Sequence, residues 1–82
     1  MPTVLRVNGF VVRIYHPPRE HGPAHVHVLR DGAEVVIELA DTNRLQRIRD
    51  VLGMRDSDVL AAFRLVSAHT DDLLVHWRQL HG

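Results

Sequence analysis

The chain has no cysteine, so it holds no disulfide framework and no thiolate nucleophile or metal ligand. It has no lysine either: all ten strongly basic residues are arginine. Aromatic residues are few, with two Phe, one Tyr and one Trp. No apolar run approaches the roughly 18 residues that a membrane span needs. Charge appears early and the apolar runs are short, which argues against a signal peptide and makes the cytoplasm the expected location, with no membrane partner. At 82 residues, the chain is expected to be a single domain over 1–82. A domain this short buries only about 60% of the surface its unfolded chain exposes, so a partner subunit, including a second copy, is a natural expectation.

Opposite charges balance to zero overall but are segregated along the chain. Residues 1–30 hold four arginines against Glu20, residues 31–43 hold only acids, and residues 44–55 hold four arginines against Asp50. Arginine grips phosphate or carboxylate with two parallel donors, which lysine cannot do.

The densest chemistry lies in the run HPPREHGPAHVHV from His16 to Val28, with four of the seven histidines and three of the four prolines. Before it, TVLRV (3–7) reads as a strand, Asn8-Gly9 as a tight hairpin turn, and Phe10 to Tyr15 as a second strand. Pro17-Pro18 ends that strand, and residues 16–23 form a stiff loop. Residues 24–30 and 33–39 read as a second hairpin around Asp31-Gly32. A two-residue turn there puts Val28 opposite Val35 and Val26 opposite Ile37 on one face. His25 then faces Glu38, His27 faces Val36 and Leu29 faces Glu34 on the other. His25 and His27 thus point away from the valines, with Glu38 within about 5.5 Å of His25 at Cβ.

Leu45, Ile48, Val51 and Leu52 recur at helical spacing, which predicts a short helix over 43–52 ended by Gly53, with Arg44 and Arg47 exposed and Arg49 nearby. Asp56-Ser57 offers a cap for a helix to about Ser67 whose buried stripe is Val59, Leu60, Phe63 and Val66. Thr70 is expected to cap a last helix with Leu73, Leu74, Trp77 and Leu80 on its apolar face. His69 and His76 read as surface positions. The expected fold is α+β: an antiparallel sheet of about four strands in two hairpins, covered on one face by two antiparallel C-terminal helices, with the short helix between.

Several stretches carry a resemblance: MPTVLRVNGF at the start, Ile14-Tyr15 before the loop, EHGPAHVHV at 20–28 and LLVHWRQLHG at the end. Together they resemble the DUF4160 family of small bacterial proteins. The family form has two adjacent prolines before HVHV; here the second is Ala24. The resemblance implies a gene-pair context, a small protein encoded next door as partner, and, for some members, the role of toxin in a type II toxin–antitoxin system. It places weight on His21, His25 and His27.

Three chemistries are open to the histidine face. In the first, RNA is cleaved through its 2′-hydroxyl. His25 and His27 would serve as acid and base, Glu38 would orient His25, and Tyr15 would stack on a base or donate a proton. Arg13, Arg19 or Arg30 would hold the phosphate. In the second, a divalent metal such as zinc is the cofactor, bound by His25, His27 and Glu38 with His21 or water as the fourth ligand. The two strand histidines are roughly 6–7 Å apart at the backbone, and no standard zinc spacing is present. In the third, no cofactor is needed: the histidines hold the loop, or the face is covered by a partner protein or nucleic acid.

Overall fold

A computed structural model of the chain describes residues 3–15 and 22–81. Both two-residue turns form as their sequences require. Asn8 and Gly9 sit at φ of 52° and 82°, and Asp31 and Gly32 at 49° and 81°, the paired positive angles that match the right-handed twist of a hairpin. The first turn joins β1 (Thr3–Val7) to β2 (Phe10–Arg13), and the second joins β3 (His25–Arg30) to β4 (Ala33–Glu38). A fifth strand, β5 (Arg47–Leu52), follows, then α1 (Asp56–Ala68) and α2 (Thr70–His81). The sheet is an antiparallel meander in the order β1-β2-β3-β4-β5. The fold is therefore α+β, with one strand more than expected.

The β3–β4 register is the one the alternation predicted: His25 opposite Glu38, Val26 opposite Ile37, His27 opposite Val36, Val28 opposite Val35 and Leu29 opposite Glu34. One face carries Phe10, Val12, Ile14, Val26, Val28, Val35 and Ile37, and with Leu39 and Met54 these pack against Ala62 and Val66 of α1 and Leu73 and Leu74 of α2. Each of these side chains other than Ala62 contributes about 1.5–3 kcal/mol on removal from water. The sheet needs this cover, because hairpins alone are marginal.

Residues 43–52 are not a helix. The spacing that suggested one has a different cause. Ile48 pairs with Ile37 and Val51 with Val35, both on the core face, because the register shifts between Val36 and Ile37. A bulge inserts one residue, so two side chains three apart share a face of a strand, which imitates the helical i, i+3 pattern. Leu45, the first residue of the apparent stripe, is 87% exposed. Gly53, at φ 76°, makes a bridge to Glu34 rather than closing a helix. Before the strand, Gln46 donates to the Phe63 carbonyl (2.8 Å) and accepts from Ser67, tying the strand's approach to α1.

Four smaller expectations also change. On α1 the buried positions are Ala62 and Val66, while Leu60 stands half-exposed. Its N-cap is Arg55, with no side-chain cap bond, so Asp56 and Asp58 act only through their charge in the first turn. Thr70 begins α2 but does not cap it: its hydroxyl donates back to the carbonyls of Val66 and Ser67. His69 and His76 are partly buried, and the His69 Nδ1–H donates to the Leu65 carbonyl at 2.9 Å. Among the described residues no helix is long and apolar enough to cross a membrane.

Candidate functional site

The sheet face opposite the valines carries Arg13 and Tyr15 from β2 and the residues after it, His25 and His27 from β3, and Glu34, Val36 and Glu38 from β4. Strand alternation alone places them together. Arg13 is the direct cross-strand partner of His27. On the other side of His27 the carboxylate of Glu34 approaches its Nδ1 to 2.5 Å. Glu34 is the diagonal neighbour, two positions along β4 from Val36, and its longer side chain spans that offset. A carboxylate only accepts, so in the neutral ring the proton sits on Nδ1 and the basic lone pair on Nε2. The Tyr15 ring meets His27 edge-on, with centroids 4.6 Å apart. Arg13 Nε is buried with no hydrogen-bond partner among the described residues.

His25 has a different environment. It is 1% exposed, and its Nδ1–H donates to the Pro23 carbonyl at 2.9 Å. Its ring lies 5.5 Å from that of His27 and 5.0 Å from that of Trp77 on α2. Trp77 in turn stacks on His81 at 3.8 Å, and the His81 Nε2–H donates to the Tyr15 carbonyl at 2.9 Å. Tyr15, His27, His25, Trp77 and His81 thus form a continuous series of rings that ties the end of α2 to the histidine face. Trp77 was expected only to fill the core. It packs against the core and also supports this series.

Glu38 stands opposite His25 as expected, but its carboxylate is engaged by arginines. Arg49 Nε donates to Oε2 at 3.0 Å, and Arg47 Nε and Arg44 Nη1 approach Oε1 at 3.5 and 3.9 Å. Burial by itself pushes this carboxyl up; the hydrogen bond from Arg49 and the charges of Arg47, Arg49 and Arg44 together outweigh it and hold the group below its ordinary value. Asp41 is also held low, by hydrogen bonds from its Thr42 neighbour's amide and hydroxyl.

The expected site residues thus separate. His27, Tyr15 and Arg13 are brought together, with His25 buried behind them. Arg30 is elsewhere: its guanidinium lies over the Phe10 ring at 4.8 Å and pairs with Asp58 of α1 at 3.7 Å. Its place in β3 is in phase with Val26 and Val28, so it falls on the helix side of the sheet. His16, His21 and Arg19 lie outside the described residues. Among the described residues no three histidine or carboxylate side chains converge as metal ligands, and His21, the fourth ligand of the zinc reading, lies outside them. Two partners were not anticipated. Glu34 was recoverable, since a diagonal neighbour follows from the register. His81 was not, because its contact to Tyr15 spans 66 positions.

A family model described as a domain of unknown function, DUF4160, matches residues 9–78. The chain belongs to the DUF4160 family. The match begins at Gly9 in the first turn and includes the whole second hairpin with the HVHV strand and α2 as far as Arg78, so every described ring of the histidine series except His81 falls within the DUF4160 region. No curated protein and no solved structure matches the chain.

A second surface lies on the other side of the sheet. Ile48, Val59, Leu60 and Phe63, with Asp56 at one end, line a groove of about 370 Å³ between β5 and α1. Ile48 and Leu60 are 40% and 49% exposed, which leaves an apolar strip open to solvent.

Proposed function

We propose that this DUF4160 protein is the toxin of a two-gene toxin–antitoxin pair and that it cleaves RNA by acid–base chemistry on the histidine face. One observation carries the reading: His27, its Nδ1–H held by Glu34, stands directly across from Arg13. In that arrangement His27 Nε2 takes the proton of a 2′-hydroxyl. The 2′-oxygen forms a bond to phosphorus, and the bond from phosphorus to the 5′-oxygen breaks. The departing oxygen takes a proton from the Tyr15 hydroxyl or from water. The products are a 2′,3′-cyclic phosphate and a free 5′-hydroxyl. Arg13 offers its guanidinium to the phosphate oxygens, where negative charge builds up. His25, being buried, positions His27 rather than touching RNA.

Induced expression tests the reading. The wild type arrests growth, and His27→Asn relieves the arrest while the purified variant keeps its melting temperature. On RNA in vitro the same variant loses on the order of 10²–10⁴ in rate, the usual worth of a positioned general base. An RNA with 2′-deoxyribose at the cleaved position resists the wild type. Undiminished toxicity in folded His27→Asn refutes the assignment.

The apolar strip supports a second reading: a non-catalytic interaction module that binds the small protein encoded next door. In that case RNA is not cleaved, His27→Asn is silent, and Leu60→Asp in the groove abolishes co-purification with the neighbouring gene's product. Under the toxin reading the same groove seats the antitoxin, and Leu60→Asp leaves RNA cleavage intact but no longer inhibited.

A further inference from the structure

Three guanidiniums around one carboxylate leave an excess of positive charge. Glu38 is 9% exposed at its side chain, and Arg49, the least exposed of the three at 32%, already donates to it at 3.0 Å. That charge-assisted bond offsets part of its burial, and the charges of Arg47, Arg49 and Arg44 supply the rest. Arg44 and Arg47 approach only to 3.9 and 3.5 Å and are 49% and 69% exposed. They act on Glu38 through charge rather than through a hydrogen bond, so their donors stay open to solvent although each is held beside another cation. Arg44 also has Asp41 nearby, as does Arg78, and Asp50 accepts from the Val51 amide of its own strand. Among the described residues, four arginines thus face three carboxylates. Each arginine has five N–H donors, and most are not used by Glu38.

The cluster is also well placed. Arg47 is the cross-strand partner of Glu38, and Glu38 that of His25, so the three lie in one row across β5, β4 and β3. From strand spacings, Arg47 and His27 are separated by roughly 12 Å along the same face, the span of a few nucleotides. Tyr15 supplies a partly exposed aromatic ring next to His27. A cationic track with an aromatic ring beside it suits a single strand, whose unstacked bases can lie on that ring.

We infer that Arg44, Arg47 and Arg49, organised by Glu38, bind the backbone phosphates of single-stranded RNA and lead it to His27. The inference rests on the RNA reading and names the form of its substrate. Glu38 acts as the fixed centre that holds the arginines in place, and the excess positive charge is neutralised when phosphates arrive.

The test measures binding apart from cleavage. Fluorescence anisotropy is recorded with the full chain and a labelled single-stranded RNA carrying 2′-O-methyl groups, between 50 and 200 mM salt. Each lost phosphate contact lowers the slope of log K against log salt by about 0.7, or about fivefold in affinity at 0.1 M salt. Arg44→Gln and Arg47→Gln each show this loss with an unchanged melting temperature, and the double variant shows both. Arg64→Gln, at an exposed position of α1, changes neither. Wild-type affinity and slope in the double variant overturn the inference, as does equal affinity for a duplex of the same length. Equally effective competition by a polyglutamate peptide also overturns it, and would assign the cluster to an acidic protein. If the arginine variants lose binding but unmodified RNA is never cleaved, the inference stands and the nuclease reading falls. If RNA is cleaved and the double variant keeps its KM, the nuclease reading stands and the inference falls.

Discussion

Replacing Glu38 by Gln keeps the side chain's size and removes its charge, which isolates what the carboxylate does for its arginines. A hydrogen bond to a charged group contributes about 1.5–3 kcal/mol. The amide oxygen of Gln can still accept from Arg49, at about half the strength of a charge-assisted bond. Arg44, Arg47 and Arg49 are 49%, 69% and 32% exposed, so water replaces much of what they lose. The variant is therefore less stable by about 1–1.5 kcal/mol at pH 7, and at roughly 4–8 °C per kcal/mol for a domain of this size its melting point falls by about 4–12 °C. The dependence on pH is the sharper part. The carboxyl of Glu38 is held below its ordinary value of 4.5 in the folded chain. Its contribution is then fully present above the unfolded value and is lost as pH falls through the folded one, where the group takes up its proton in both states. Thermal melts of both proteins from pH 7 to pH 3 test this. The gap is constant from pH 7 to about 5.5, narrows below 4.5 and closes in strong acid. A variant as stable as the wild type at pH 7, or a gap that stays constant down to pH 3, refutes the assignment of Glu38 as an ionised centre for the arginines.

Two further substitutions probe the scaffold. Leu73→Ala removes a side chain that is 1% exposed where α2 meets the sheet, and urea unfolding should show a loss of about 2–4 kcal/mol, with the unfolding midpoint reduced accordingly. Gly32→Ala places a Cβ where nothing lies within 4 Å, but at φ 81°; the cost is backbone strain alone, about 1 kcal/mol in the same assay, and a loss above 3 kcal/mol would show a clash that the turn does not have.

Which features were legible from the residues depends on the range of the interactions that decide them. Turn chemistry is local: Asn8-Gly9 and Asp31-Gly32 accept positive φ by themselves, so both hairpins follow from the sequence. The β3–β4 register follows as well, because a slip of one residue would turn Val26, Val28, Val35 and Ile37 out of the core together. That register is what set His25 and His27 on the face away from the valines, and the family could be recognised from the same run. The strand at 47–52 was not legible. Its bulge gives apolar residues a spacing of three, and only pairing with β4 distinguishes that from a turn of helix. The partners of the histidines were decided by tertiary packing too. Glu38 sits opposite His25 as the register demands, but β5 brings Arg44, Arg47 and Arg49 to its carboxylate; Glu34, by contrast, is a diagonal neighbour of His27 that the register already supplied. The sequence by itself determined which face the histidines occupy. Only the assembled sheet and α2 decided that His25 is buried against Trp77, that Arg13 stands across from His27, and that the arginines of β5 converge. Periodicity specifies the direction of a side chain, whereas its partner is specified by elements distant in sequence.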